Sequence, residues 1–294
     1  MSLARLAGRC AFVALLLMCG CSAPPQEGGD GAAGRYNNPF DLPLESEFVD
    51  LSLYGAAVDT FMAECVARAG LKYTVGTWDL SRPAVRADSS LGYPNLDPEL
   101  VGMYGYRPPR DSRELALPAP MASVVPAGEE ARFAQVQQAC TEESRDAVPD
   151  VASAANVLLQ LNAKSRDAAV GDPRVVASRG RWRACVTLAD PPLGDPRSSP
   201  EQFRVSVLSA VDARDNAGVG DTMMLKAPPD EIKAATIDVG CRTRSGYSNA
   251  YFSAVGEAQE RLMSEHSVAL QGVQESMSKI QQAINHYVLE GEGR

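Results

Sequence analysis

Histidine is almost missing from this sequence, and its scarcity removes several kinds of catalysis. The 294 residues include only His266 and His286, which are twenty positions apart in one predicted helix. Twenty residues of α-helix span about 30 Å, so the two imidazoles cannot share a metal or a catalytic role in one chain. The motifs GxSxG, HExxH and GxxxxGKS are also missing. We therefore predict no enzyme activity, no catalytic residue, no metal and no cofactor.

Clusters of positive charge are missing as well. No block of five or more basic residues occurs, and the net charge is −9. Nucleic acids and anionic lipid surfaces are bound by an excess of Lys and Arg. This charge balance excludes nucleic acid as a partner and argues against broad contact with anionic lipid.

The first twenty residues carry a short basic stretch followed by an apolar run at 11–18. Eight apolar residues are too few for a membrane-spanning helix, which needs about 20, so we predict a signal peptide. Cys21 follows the small residue Gly20, as the lipid-modified cysteine of bacterial lipoproteins does, whereas Cys19 follows a bulky methionine. We predict a lipoprotein signal peptide over 1–20 and a lipid on Cys21. The alternative is that both cysteines are incidental residues of a cleaved signal.

Residues 22–45 are rich in Gly, Pro, Ala and Asn and show no apolar periodicity. This composition predicts a flexible tether over 21–45, with a reach of about 25–30 Å. A lipid on Cys21 would anchor the remaining chain, 46–294, to the outer face of the cytoplasmic membrane. In an envelope with an outer membrane, Ser22 permits sorting to that membrane instead.

Four further cysteines follow the signal peptide: Cys65, Cys140, Cys185 and Cys241. An even number in an exported chain predicts two disulfides with a structural role. No CxxC pair is present and no histidine is close in sequence, which argues against a redox motif and a zinc site. Three pairings are possible. We favour Cys65–Cys140 and Cys185–Cys241, which give each possible half of the domain, 46–148 and 172–294, one disulfide.

Apolar residues recur at helical spacing through most of the chain, which predicts a mainly α fold. Helices are predicted over 46–69, 129–147, 150–168, 173–189, 200–214 and 230–241. A short strand is predicted at 71–78. The many prolines of 79–127 predict a long loop, interrupted by one short helix from Asp97-Pro98 to Gly105.

A long amphipathic helix is predicted over 248–289, with a length near 60 Å. Its stripe runs from Val255 to Tyr287, and His266 fills the one polar gap. The other members are Ala258, Leu262, Ala269, Val273, Met277, Ile280 and Ile284. Either the helix packs along the domain, or its end projects and binds a protein partner of the cell envelope.

Three stretches together resemble a group of secreted lipoproteins of actinobacteria that have no established activity. They are LGYPNLDPELVGMYGYRPP at 91–109, the WRAC of 182–185, and the Ala-x-x-x-Asp-x-x-Cys of 234–241 ahead of a long helix. The resemblance covers most of 60–290 and departs in having Gly92-Tyr93 where Tyr-Gly is usual. It implies an extracytoplasmic location, disulfides and this architecture, and it transfers no catalytic residue.

The proline-rich loop also contains the residues that we select as a possible binding surface: Tyr93, Tyr104, Tyr106 and Arg107. Tyrosine and arginine are good contact residues in interfaces. The alternative is that the rings hold the loop on the helices. Asp238 is expected to make a local hydrogen bond.

These observations predict a lipid-anchored extracytoplasmic accessory or interaction protein of the bacterial cell envelope. One alternative is a ligand-binding lipoprotein associated with a transporter, although the βα alternation typical of such proteins is missing. Another is an envelope hydrolase that uses two of the 37 acidic residues.

Overall fold

The computed structural model describes residues 35–86, 88–107, 111–116, 125, 127–190, 194–215 and 227–290. The predicted signal peptide and Cys21 lie outside these residues. The fold is mainly helical, as predicted. In the part of the chain that the structure describes, no helix is both long and apolar enough to cross a membrane.

Nine α-helices and one two-stranded sheet make up the described fold. The helices are α1 Leu51–Arg68, α2 Pro98–Tyr104, α3 Glu130–Ala147, α4 Ala152–Val170, α5 Pro173–Ala189, α6 Pro200–Asp215, α7 Pro229–Arg244, α8 Tyr247–Glu265 and α9 Ser267–Ile284, followed by a π-helical turn, Asn285–Leu289. The antiparallel strands are β1 Thr77–Trp78 and β2 Glu114–Ala116. The strand predicted at 71–78 is therefore limited to its last two residues.

Aspartate caps explain where several helices begin. The carboxylates of Asp50, Asp97 and Asp172 accept backbone N–H groups in the first turns of α1, α2 and α5. Proline occupies the first position of α2 and α5, where its missing N–H costs no hydrogen bond. The short helix predicted from Asp97-Pro98 to Gly105 is confirmed.

The predicted tether is wrong over its described part, 35–45. This segment forms two short 3₁₀ helices, Pro39–Asp41 and Pro43–Glu47, and buries Leu42 and Leu44. The backbone N–H of Leu44 donates to the Gln259 side chain in α8 at 3.0 Å. Short 3₁₀ turns do not produce the apolar periodicity of longer helices. The missing periodicity therefore suggested a tether, although this segment is part of the folded domain.

The predicted long C-terminal helix is present, but it is divided at His266. That residue has φ −111° and ψ 25°, which are not helical values, and it separates α8 from α9. Helix α8 packs on α4 and α5, and α9 packs on α1 and α4. In α9, Leu270 is buried and Ala269 is exposed, contrary to the predicted stripe. The buried stripe of α9 is therefore covered by this chain's own helices.

The favoured pairing of the cysteines is confirmed. Cys65–Cys140 joins α1 to α3, and Cys185–Cys241 joins α5 to α7. The pairs are 75 and 56 residues apart in sequence, and each closed loop contributes about 4 kcal/mol in the chain-entropy picture. Each disulfide lies within one predicted half, but α1 and α4 also pack against α9, so the described residues form one compact unit.

Candidate functional site

The four residues predicted to form a binding surface do not form one. Tyr93 and Tyr106 are buried, and their hydroxyls donate to Asn162 Oδ1 at 2.9 Å and to Asp238 Oδ2 at 2.8 Å. Burial raises the pKa of both phenols, so both remain neutral donors. Tyr104 is half-buried at the end of α2. The alternative interpretation, in which rings hold the loop on the helices, is correct for Tyr93 and Tyr106.

Arg107 is partly exposed, and its ion pairs hold the residues that follow α2 against α6 and α7. Its Nε lies 3.1 Å from Glu231 Oε2, and its Nη2 contacts the carboxylate of Asp212. Glu231 also accepts the backbone N–H of Tyr106 at 3.1 Å. Burial raises the pKa of Glu231 more than the Arg107 guanidinium lowers it. Gly105, with φ +64°, leaves room for this carboxylate, since a Cβ there would lie 2.8 Å from Glu231 Oε1.

Asp238 is a fully buried acceptor that joins three parts of the fold. Its carboxylate accepts the Tyr106 hydroxyl, the Trp182 indole N–H at 2.8 Å, and Arg242 Nε at 3.0 Å. The expectation of a local bond is met by Arg242, one helical turn away, but the other two partners come from the loop after α2 and from α5. Every described contact of this carboxylate is with the protein itself, which makes it a structural anchor.

Arg242 extends this network toward α6 and α8. Its Nη2 donates to the carbonyl oxygen of Pro200 at 2.7 Å, and its Nη1 lies 3.4 Å from the carboxylate of Glu201. The Tyr247 hydroxyl donates to the same carboxylate at 3.1 Å. Burial and the charge of Glu201 raise the pKa of Tyr247. The network therefore holds the junction of α7 and α8 against the start of α6.

A second buried carboxylate, that of Glu45, holds the loop after β1. It accepts the backbone N–H groups of Ser90 and Leu91 at 2.9 and 3.1 Å, and it pairs with Arg86 at 3.1 Å. The Arg86 guanidinium lies 4.9 Å from the centre of the Phe40 ring. These contacts place Arg86 and Phe40 side by side at the surface.

An open groove of about 800 Å³ lies between this surface and the junction of α7 and α8. Four segments border it: 37–41, 84–86, 94–100 and 239–252. Its apolar lining includes Phe40, Val85, Leu96, Leu100, Val239 and Phe252. Its polar side chains include Asn38, Arg86, Asn95, Asp97 and Asn249. Apolar walls with a few polar groups are typical of binding sites, and this volume lies in their usual range.

The charged side chains of the groove are engaged in contacts within the protein. Four charged side chains line the groove, and each has a partner within the chain. Arg86 pairs with Glu45 and Arg242 pairs with Asp238. Asp97 caps α2, and Asp41 accepts the side-chain N–H of Asn38. Neither histidine borders the groove: His266 lies at the break between α8 and α9, and Nδ1 of His286 lies 3.6 Å from the Glu290 carboxylate. Among the described residues, no group of three or more His, Cys, Asp or Glu side chains could hold a metal ion.

Sequence reasoning missed the groove because residues 84–100 border it together with 37–41 and 239–252, which are far from them in the chain. It also missed Asp238 as a long-range acceptor. One signal was available. Asp238 shares a helix face with Ala234 and Ala235, four and three residues earlier, which suits a face turned to the core, and Arg242 four residues later is on the same face as a partner.

No protein-family model, no curated protein and no solved structure matches this chain.

Proposed function

We propose that this protein is a lipid-anchored, extracytoplasmic accessory protein of the bacterial cell envelope that acts by binding. The predicted signal peptide and Cys21 support the anchor. The two disulfides support an oxidising compartment, because such bonds persist outside the cytoplasm. The groove beside Phe40 and Phe252 is the observation that carries the binding role.

The groove supports a binding surface better than the C-terminal helix does. The apolar stripe of α9 is covered by α1 and α4, whereas Leu96, Leu100 and Phe252 are only half-buried in the groove. Apolar surface that stays partly open between polar side chains is what an interaction partner could cover.

The anchor is tested by metabolic labelling with a palmitate analogue in cells that express the full chain. We expect Cys21→Ala to abolish the label and Cys19→Ala to retain it. Label that persists in Cys21→Ala would reject the proposed anchor. Equal loss of label in both variants would reject the assignment of the lipid to Cys21 alone.

The binding role is tested by photocrosslinking in intact cells. A photoreactive amino acid at Leu96 should yield a discrete crosslinked product, and Leu100→Arg in the same chain should abolish it. The matched control places the photoreactive residue at Val268, an apolar residue of α9 that is 83% exposed and lies outside the groove. Products of equal size and yield from both positions would reject the groove as the binding site.

A second candidate is a lipoprotein that binds a small solute for a transporter. The volume of the groove favours it, since about 800 Å³ suits a small molecule. In that case purified protein gains thermal stability from a solute, and Leu100→Arg removes the gain. Photocrosslinks from Leu96 to another protein would favour the accessory role instead.

A further inference from the structure

The two disulfides differ in their solvent accessibility. Cys65 and Cys140 are both buried. In the second disulfide, Cys241 is buried but Cys185 is partly exposed. Thiol–disulfide exchange requires a thiolate to approach one sulfur atom directly, so access selects the Cys185 sulfur.

The side chain that contacts one disulfide is positively charged, and the side chain that contacts the other is negatively charged. Nη2 of Arg244 lies 3.1 Å from Cys185 Sγ and 3.4 Å from Cys241 Sγ. In the other disulfide, the carboxylate of Glu143 lies 3.5 Å from Cys65 Sγ and also pairs with Arg68. A guanidinium stabilises a departing thiolate. In Cys185–Cys241 a guanidinium contacts both sulfur atoms directly, whereas the side chain that contacts Cys65 Sγ is a carboxylate.

Helix dipoles do not account for this difference. Cys65, Cys185 and Cys241 all lie in the last turn or so of their helices, α1, α5 and α7. The negative end of a helix dipole disfavours a thiolate to a similar extent in both disulfides. The full charge of Arg244 therefore distinguishes Cys185–Cys241.

The surface around Cys185 is open to a partner. A shallow depression is lined by Arg181, Cys185, Leu188, Ala189, Arg244 and Ser245. Leu188, which lines this depression, is 87% exposed. An apolar side chain next to a reachable sulfur provides a contact for a dithiol partner. The depression is separate from the groove and shares no residue with it.

We propose that Cys185–Cys241 is a site of thiol–disulfide exchange with an external dithiol. A thiolate of the dithiol attacks Cys185 Sγ, the Cys185–Cys241 bond breaks, and Cys241 leaves as a thiolate beside Arg244. The second thiol of the partner, once deprotonated, then attacks the mixed disulfide and releases the Cys185 thiolate. The partner ends as a disulfide, and the protein has gained two electrons and, after protonation, two thiols. This modification site is independent of the proposed binding at the groove.

The test follows reduction of each disulfide in the native full-length protein. Dithiothreitol is added without denaturant, samples are quenched with acid, and free and disulfide-bonded cysteines are labelled with light and heavy alkylating reagents before peptide mapping. We expect Cys185 and Cys241 to become free at least about tenfold faster than Cys65 and Cys140. With the monothiol glutathione as reductant, the mixed disulfide should map to Cys185.

The role of Arg244 is tested in the same assay. Arg244→Gln should slow release of Cys185 and Cys241 by about three- to tenfold and leave Cys65–Cys140 unchanged, whereas Arg244→Lys should retain most of the rate. The matched control is Arg183→Gln, which removes an exposed arginine of α5. Equal rates for the two disulfides, earlier reduction of Cys65–Cys140, or a glutathione adduct on Cys241 would overturn the proposal. An unchanged rate in Arg244→Gln would also overturn it. If a variant does not fold, the relative rates of the two disulfides in the wild-type protein still decide whether Cys185–Cys241 is the site of exchange.

Discussion

The carboxylate of Asp238 accepts the indole N–H of Trp182 at 2.8 Å while the guanidinium of Arg242 lies 3.0 Å away on the same helix. All three side chains are buried. The indole comes from α5 and the carboxylate from α7, the two helices that Cys185–Cys241 also joins. A covalent link and a charged hydrogen-bond network therefore hold the same pair of helices.

We predict that Asp238→Asn destabilises the protein strongly. The amide cannot balance the charge of Arg242, and removing one partner of a buried ion pair costs about 3–5 kcal/mol. The free energy of unfolding, measured with urea and circular dichroism, reports the change. Asp212→Asn is the control, because its exposed pair with Arg107 contributes less than about 1 kcal/mol. Similar small losses in both variants would show that Asp238 does not have this structural role.

The segment 35–45 depends on a glycine of α8. A Cβ added at Gly256 would lie 2.0 Å from Cδ2 of Tyr36, whose hydroxyl donates to Glu260 at 2.6 Å. We predict that Gly256→Ala displaces the Tyr36 ring and lowers the free energy of unfolding by about 1–3 kcal/mol. Faster hydrogen exchange over 35–45 should accompany the loss.

The control for this variant is Gly272→Ala in α9. Apart from the adjacent backbone of its own helix, no heavy atom lies within 4 Å of a Cβ built at Gly272, so alanine meets open space there. Replacing a helix-interior glycine with alanine should stabilise the protein by about 0.5–1 kcal/mol. The prediction fails if both variants shift stability in the same direction.

Helix α3 is attached mainly to α1, and its buried residues are Phe133 and Cys140. We predict that replacing Cys65 and Cys140 with alanine releases α3 locally. Hydrogen exchange followed by mass spectrometry should lose protection over 130–147 while α8 keeps it. Loss of protection across all helices would mean instead that the disulfide stabilises the whole domain.

The sequence predicts helix boundaries well where capping residues, prolines or glycines set them. Asp97-Pro98 and Gly105 bound α2, and Pro173 begins α5, because caps, prolines and glycines act on their immediate neighbours. The order of the cysteines allows three pairings, and the structure confirms the favoured one, in which each predicted half has one disulfide. The break at His266 escapes prediction, because apolar residues recur at helical spacing on both sides of it, and a single polar residue in such a stripe does not by itself indicate the end of a helix.

The candidate site is less predictable, because its contacts join distant segments. Tyr106 and Asp238 are 132 residues apart, and Leu44 is 215 residues from Gln259. No spacing rule connects such pairs. The chemistry of Tyr93 favours a contact residue, but its burial depends on Asn162 and on helices that the local pattern does not specify.

Arg174 of α5 provides a prediction that depends on pH. Its Nη2 lies 2.9 Å from Asp172 and 2.8 Å from Glu257 of α8. The hydrogen bonds from this guanidinium lower the pKa of both carboxyls below their usual values. Since the folded-state pKa values lie below the unfolded ones, the stabilisation is present above about pH 4 and is lost as the pH falls through the folded-state values.

We therefore expect Arg174→Gln to lower the free energy of unfolding at pH 7 by less than about 1 kcal/mol, since the pair is largely exposed to solvent. The difference from the wild-type protein should shrink as the pH falls below about 4, when the carboxyls become protonated in both proteins. Urea unfolding at neutral and acid pH measures this difference in the free energy of unfolding. The control is Lys164→Gln, which removes an exposed cation of α4. A loss of the same size at both pH values would assign the effect to packing of the Arg174 side chain, because only the charged contribution disappears in acid.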